Sequence, residues 1–86
     1  MKLIRFTASW CAPCKILEKE LEKAKVTILV STVDVDVNPE LAKGCNIRSV
    51  PTMILEHNEK TLDRKVGILN AKQIQEWLDG FQSEAH

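Results

Sequence analysis

The chain has 86 residues, enough for one modest core, so a single domain over residues 1–86 is expected. Twelve basic residues balance twelve acidic ones, which argues against a general nucleic-acid binder and against docking on an acidic membrane. No apolar stretch approaches bilayer-spanning length, and the first apolar run is too short and strand-like for a signal peptide.

Residues 2–7 read as a short, largely apolar strand of the kind buried in parallel sheets, with Arg5 as its one charged member. Ser9-Trp10-Cys11-Ala12-Pro13-Cys14 follows at once. From there Cys14, Leu17, Leu21 and Ala24 recur at steps of three, four and three, the spacing of one helix face, which predicts a helix over 11–25. Lys15, Glu18, Lys19, Glu22 and Lys23 fall outside that stripe and read as a solvated face. Pro13 costs nothing in the first turn, where its missing N–H has no partner to lose.

A C-x-x-C between a strand and a helix suits redox chemistry. Cys11, at or just before the first turn, faces backbone N–H groups with no intrahelical acceptor. Those donors and the positive end of the helix favour a thiolate. Cys14, one turn on, is close enough to close a disulfide and more buried, so one sulfur attacks and the other resolves. The residues leave two other readings open. One is an incidental pair of helix cysteines. The other is a zinc site, but Cys45, His57 and His86 supply neither a second C-x-x-C nor an H-x-x-x-H. Three cysteines, an odd number, suit a reducing compartment, and the expected location is cytoplasmic.

Residues 28–37 are β-branched, with Val33, Val35 and Val37 alternating against Asp34 and Asp36, which predicts a second strand. Strand, helix and strand of this length imply a right-handed crossover and a parallel pair. Asn38 reads as the cap and Pro39 as the first position of a short helix ending at Gly44. Next come Ile47-Arg48-Ser49-Val50-Pro51-Thr52 and the apolar run Met53-Ile54-Leu55. A proline at the mouth of so central a strand suggests a special task such as a cis bond. His57-Asn58-Glu59-Lys60 reads as a hairpin turn into a strand over 61–66, closed by Gly67. Asn70 and Gln73 form a capping box, Leu69 and Ile74 a hydrophobic staple, and Ile74, Trp77, Leu78 and Phe81 one apolar helix face. The order is β-α-β-α-β-β-α, an α/β chain.

Trp10-Cys11-Ala12-Pro13-Cys14, Asp36-Val37-Asn38-Pro39, Ile47-Arg48-Ser49-Val50-Pro51-Thr52 and Val66-Gly67 resemble thioredoxin motifs, in order and spacing, from Leu3 to Phe81. The resemblance is to a trimmed thioredoxin without the leading strand and helix. It implies a thioredoxin-like fold: a four-stranded mixed sheet in the order second, first, third, fourth strand. The first and last helices lie on one face and the short helix on the other. It further implies Cys11 as an exposed nucleophile, Cys14 as the resolving thiol and Pro51 as a cis-proline against them. The Val50 backbone would pair with an extended substrate chain. Trp10, Ala12, Pro13, Val50, Gly67 and Ile68 would form the apolar rest on which substrates sit.

Two departures from the family pattern concern charge. Arg5 occupies the position where thioredoxins carry a buried aspartate that helps deprotonate the resolving cysteine, and Thr32 aligns with that aspartate's lysine partner. Arg5 either stabilises the Cys14 thiolate by charge, or points to the opposite face or bonds elsewhere. Ala12 replaces the usual glycine between the cysteines, and Cys45 stands where the family has an aromatic. Cys45 reads as a partly buried small hydrophobe or a modifiable thiol. His57 reads as a surface residue at a strand edge, and His86 as part of a frayed tail.

The expected function is thiol–disulfide oxidoreduction: reduction of protein disulfides within the cytoplasmic electron-transport and redox-homeostasis network. The protein would act as a monomer, with no metal and no cofactor beyond the Cys11–Cys14 pair. A flavoprotein thioredoxin reductase would return the electrons. Glutathione is the alternative donor, as in glutaredoxins, although Trp10-Cys11-Ala12-Pro13-Cys14 lacks a proline just after the first cysteine and an aromatic before the second. A binding subunit with spectator cysteines is the other alternative.

Overall fold

The structure, a computed structural model, describes residues 1–84; the expectation made for His86 lies outside them. Seven elements follow the order read from the sequence: β1 (Lys2–Thr7), α1 (Ala12–Ala24), β2 (Leu29–Asp34), α2 (Pro39–Gly44), β3 (Thr52–His57), β4 (Lys60–Val66) and α3 (Ala71–Glu84). The sheet runs β2-β1-β3-β4, with β1 and β2 parallel and β3 antiparallel to both β1 and β4.

Period two along β1 sorts its side chains onto two cores. Leu3 joins Leu17 and Ala24 of α1, Met53 and Leu55 of β3, and Ile74 and Leu78 of α3. Phe6 joins Val33, Ile54 and Ala42 of α2 on the opposite face. The placement of the helices on the two faces is therefore as expected. The capping box of α3 is also present and reciprocal. Gln73 N–H donates to Asn70 Oδ1 and Asn70 N–H to Gln73 Oε1, both at 2.9 Å.

Local chemistry overrides pattern in two places. The alternation over 33–37 continues the strand signal, but β2 stops at Asp34. Asp34 Oδ1 accepts from the N–H groups of Asp36 (2.8 Å) and Val37 (3.3 Å), folding the chain into a side-chain-capped turn. Asn38 stands at the N-cap of α2, but its side chain makes no capping bond. The helix α2 ends at Gly44, as expected, and the left-handed residue after it is Asn46 (φ 56°), whose side chain tolerates that region. At the hairpin, Asn58 and Glu59 are both left-handed (φ 51° and 65°), as a two-residue turn matched to strand twist requires. In β4 the pairing skips Leu62, which leaves a bulge opposite Leu55 and Glu56.

Candidate active site

The turn that ends β1 carries the chain directly into the cysteines. Cys11 N–H bonds Ala8 carbonyl at 3.1 Å, and Ala8 is buried. Cys11 is the N-cap of α1, in extended conformation, with Pro13 in the first turn. Its Sγ accepts the Cys14 N–H at 3.2 Å. One of the unpartnered donors at the helix start is thus spent on sulfur, the arrangement that favours negative charge there. The two sulfurs are joined in a disulfide, with Cα atoms 5.3 Å apart.

Burial departs from the expectation of an exposed nucleophile. Cys11 is 3% exposed and Cys14 2%. The Cys11 sulfur is bonded to Cys14, and the Val50 carbonyl oxygen lies 3.7 Å from it. Ala8, Val35 and Val50 complete the apolar wall around the pair.

The Val50–Pro51 peptide bond is cis, and Pro51 is buried. Pro51 carbonyl accepts the N–H of Gly67 at 2.9 Å, and Gly67 takes φ +90°, a conformation that suits a residue without Cβ. Thr52 Oγ1 donates to the Ser49 carbonyl at 2.8 Å and ties down the other side of the proline. On the far side of the cysteines Trp10 is 69% exposed. Trp10 and Val50 share an open groove of about 160 Å³ with Val35, Ile47, Arg48 and Ser49. The structure therefore brings Trp10, Cys11, Cys14, Val50, Pro51 and Gly67 together. Ala12 and Pro13 are exposed on the first turn beside them, and Ile68, 43% exposed, extends the surface past Gly67.

Sequence reading assigned Asp36 to a strand and gave it no task. Its Oδ2 accepts the Trp10 indole N–H at 2.7 Å and fixes the exposed ring. The alternating valines and aspartates hid it; the turn made by Asp34 is what aims Asp36 at Trp10.

Arg5 lies on the face covered by α1 rather than the opposite one, and its side chain bonds elsewhere than to the cysteines. Its Nη2 donates to Thr32 Oγ1 at 3.1 Å, and its Nη1 is 3.6 Å from Glu18 Oε2. The two positions that depart from the family pattern thus meet in adjacent strands, where Arg5 pairs with Thr32. Glu18, read as part of a solvated face, is their third member. Cys45 is half-buried against the Phe6 core as a free thiol, and its carbonyl accepts from Arg64. His57 is exposed at the end of β3. Among the described residues no cluster of three His, Cys, Asp or Glu could hold a metal, and no helix is long and apolar enough to cross a membrane.

Comparison with known proteins places this geometry. The thioredoxin family model matches residues 1–80. A thioredoxin of Buchnera aphidicola (subsp. Acyrthosiphon pisum) is 37% identical over 81 residues, covering 90% of this chain and 75% of that protein. The thioredoxin of Trypanosoma brucei brucei superposes with a TM-score of 0.86 at 30% identity, covering 95% of this chain and 74% of that one. A bifunctional thioredoxin reductase/thioredoxin of Mycobacterium leprae is 39% identical over 69 residues, covering 76% of this chain and 15% of the longer protein.

Proposed function

The chain belongs to the thioredoxin family, and from that premise we propose how its cysteine pair works as a thiol–disulfide oxidoreductase. The observation that carries the proposal is the Cys11–Cys14 pair at the start of α1, with Cys11 sulfur as its N-cap and Val50-Pro51 beside it. Cys11 is the nucleophile. Its thiolate attacks one sulfur of a substrate disulfide, forms a Cys11–substrate bond, and expels the other substrate sulfur as a thiolate. Cys14 resolves. Its thiolate attacks Cys11 Sγ, closing the Cys11–Cys14 disulfide, and the second substrate sulfur leaves with the electron pair. Two electrons pass to the substrate, and no cofactor other than the cysteines takes part.

The substrate lies as an extended strand along the Val50 backbone, with its apolar side chains on Trp10, Ala12, Pro13, Pro51, Gly67 and Ile68. Exposure of Trp10 and Ile68 next to an otherwise buried sulfur supports this reading, because an extended chain covers such a rim. The electron donor is an NADPH-linked flavoprotein reductase. The fused reductase of the M. leprae relative supports that pairing of activities. The protein works as a single monomeric domain in the cytoplasm. Cys45, a free thiol in addition to the redox pair, suits such a reducing compartment.

The test is a redox titration of Cys11–Cys14 in graded dithiol/disulfide buffers, followed by Trp10 fluorescence, together with turnover of a disulfide-bonded protein under dithiothreitol. A single two-electron transition near or below the cytosolic glutathione poise is expected. Turnover should vanish in Cys11→Ser, while Cys14→Ser should trap a mixed disulfide. A much less reducing transition would make the protein an oxidant. Full turnover by Cys14→Ser would end the two-cysteine mechanism.

A further inference from the structure

The segment that carries Val50 is tied at its two ends and little in between. After α2 the chain turns back on itself: Asn46 N–H bonds the Lys43 carbonyl at 3.0 Å, and Ile47 N–H bonds the Ala42 carbonyl at 2.9 Å. From Ile47 it runs on to Pro51. Among the described residues, the N–H groups of Arg48, Ser49 and Val50 make no backbone hydrogen bond. Ile47 and Val50 rest on the Phe6 core, and Thr52 Oγ1 holds the Ser49 carbonyl. Backbone left free in this way can pair with an incoming strand, provided that the segment keeps its place.

β4 and the residue after it grip both ends. Gly67 N–H donates to the Pro51 carbonyl at 2.9 Å. At the other end, Arg64 donates from Nη1 to the Asn46 carbonyl at 3.0 Å and from Nη2 to the Cys45 carbonyl. Arg64 pairs with Ile54 in the sheet, so its side chain stands on the α2 face with the Phe6 core. There the planar fork of the guanidinium spans two consecutive carbonyls just past the end of α2, where a cation is well placed. Among the described residues no other donor reaches these two carbonyls. Truncating Arg64 would leave both to water or to nothing.

We propose that Arg64 is a positioning residue for substrate binding: it fixes the Cys45–Asn46 end of the segment and thereby the place of the Val50 backbone beside Cys11. The inference rests on the proposed docking of an extended substrate chain along Val50. The Val50 carbonyl oxygen is 3.7 Å from the Cys11 sulfur, so a shift of the segment moves a docked strand relative to the attacking atom. With Arg64 in place the segment is ordered before substrate arrives. Without it, binding must do the ordering and is weakened by that amount. The guanidinium bonds backbone carbonyls and neither sulfur, so the thiol chemistry does not pass through it.

The test compares two disulfides that share a leaving group, in a Cys45→Ala parent whose only thiols are the redox pair. One is Ellman's reagent, too small to lie along Val50. The other joins thionitrobenzoate to the cysteine of a short, uncharged, extended peptide. The Cys11 thiolate attacks the peptide sulfur, thionitrobenzoate leaves with the electron pair, and Cys14 then closes on Cys11 and frees the peptide as a thiol. Release is followed by stopped-flow absorbance. Arg64→Met should lower the second-order rate constant for the peptide probe about tenfold and leave that for Ellman's reagent unchanged. Arg64→Lys keeps the charge and the apolar stem but reaches only one carbonyl, and should lower the peptide value about threefold. An unchanged peptide value in Arg64→Met, or equal falls with both probes, would overturn the proposal, the second because a loss of folded protein lowers both alike. If Arg64→Met does not fold, the same two outcomes in Arg64→Lys overturn it. No release from either probe by the parent would overturn the proposed function and this inference with it, whereas a reactive parent and no split among the variants would overturn this inference alone.

Discussion

The two faces of the sheet are built to different standards. On one, two helices of 13 and 14 residues bury Leu3, Leu17, Met53, Leu55 and Ile74 completely. On the other, a six-residue helix covers Phe6, Val33 and Ile54, and leaves Leu29 67% and Val66 63% exposed. The first face holds the chain together. The second is where loops are free to do chemistry: the turn bearing Val35 and Asp36 and the Val50-Pro51 segment both meet the start of α1 from that side. Cys11 and Cys14 sit at the seam, anchored by a helix from the firm face and walled by loops of the open one.

The same substitution on the two faces should break the symmetry most clearly. Leu17→Ala removes a fully buried side chain from the midst of α1, α3 and the sheet, and should cost about 2–5 kcal/mol in urea unfolding. Leu29→Ala, on the edge strand and facing the α2 side, should cost no more than about 0.5 kcal/mol. Comparable losses at the two positions would mean that the open face carries a core not seen in these contacts.

Acid should loosen the firm face first. Glu20 Oε1 accepts the Ala71 N–H at the start of α3 at 3.0 Å, and that bond, with Lys23 beside it, holds the Glu20 carboxyl below its ordinary range. Asp63 is pushed up by burial, but the Arg64 N–H, the Trp77 indole and Lys65 outweigh this and leave it lowered. A carboxylate whose folded value is depressed stabilises the fold above its unfolded value, and that contribution is lost as pH falls through the folded one. Both acceptors bind α3, so α3 amides should lose hydrogen-exchange protection as the pH drops below the usual carboxylate range, ahead of those in β1. Glu20→Gln with Asp63→Asn should flatten that pH dependence. An unaltered acid profile in the double variant would place the sensitivity elsewhere.

The firm face was also the legible one. Periodicity alone gave α1 and α3 their buried sides, because Cys14, Leu17 and Ala24, and Ile74 and Leu78, recur at helical spacing. The open face was read less well because short segments there obey side chains rather than period. Asp34 ended β2 by capping its own turn, and Asn38 stands at the start of α2 without a side-chain cap bond. At the site, the cysteines and Pro51 carry recognisable motifs, whereas Asp36 and Glu18 matter through partners 26 and 13 residues away in sequence (36 − 10 and 18 − 5) that no local pattern reveals.

The smallest contrast separates two asparagines that look alike in sequence. Both precede a helix, and both read as caps. Asn70 spends its side chain on the Gln73 N–H and receives its own N–H bond from Gln73 in return, whereas Asn38 makes no side-chain cap bond. The Asn38 backbone is held instead, its N–H by Asp34 carbonyl at 2.9 Å and its carbonyl by the Ala42 N–H at 3.2 Å. Backbone bonds survive truncation of a side chain. Asn70→Ala should therefore cost about 1 kcal/mol and Asn38→Ala only a few tenths, measured as paired shifts in urea midpoint at constant slope. If Asn38→Ala proved the more damaging, the side chain would have to act in the chain before substrate or partner binds, and the open face would owe more of its shape to α2 than its six residues suggest.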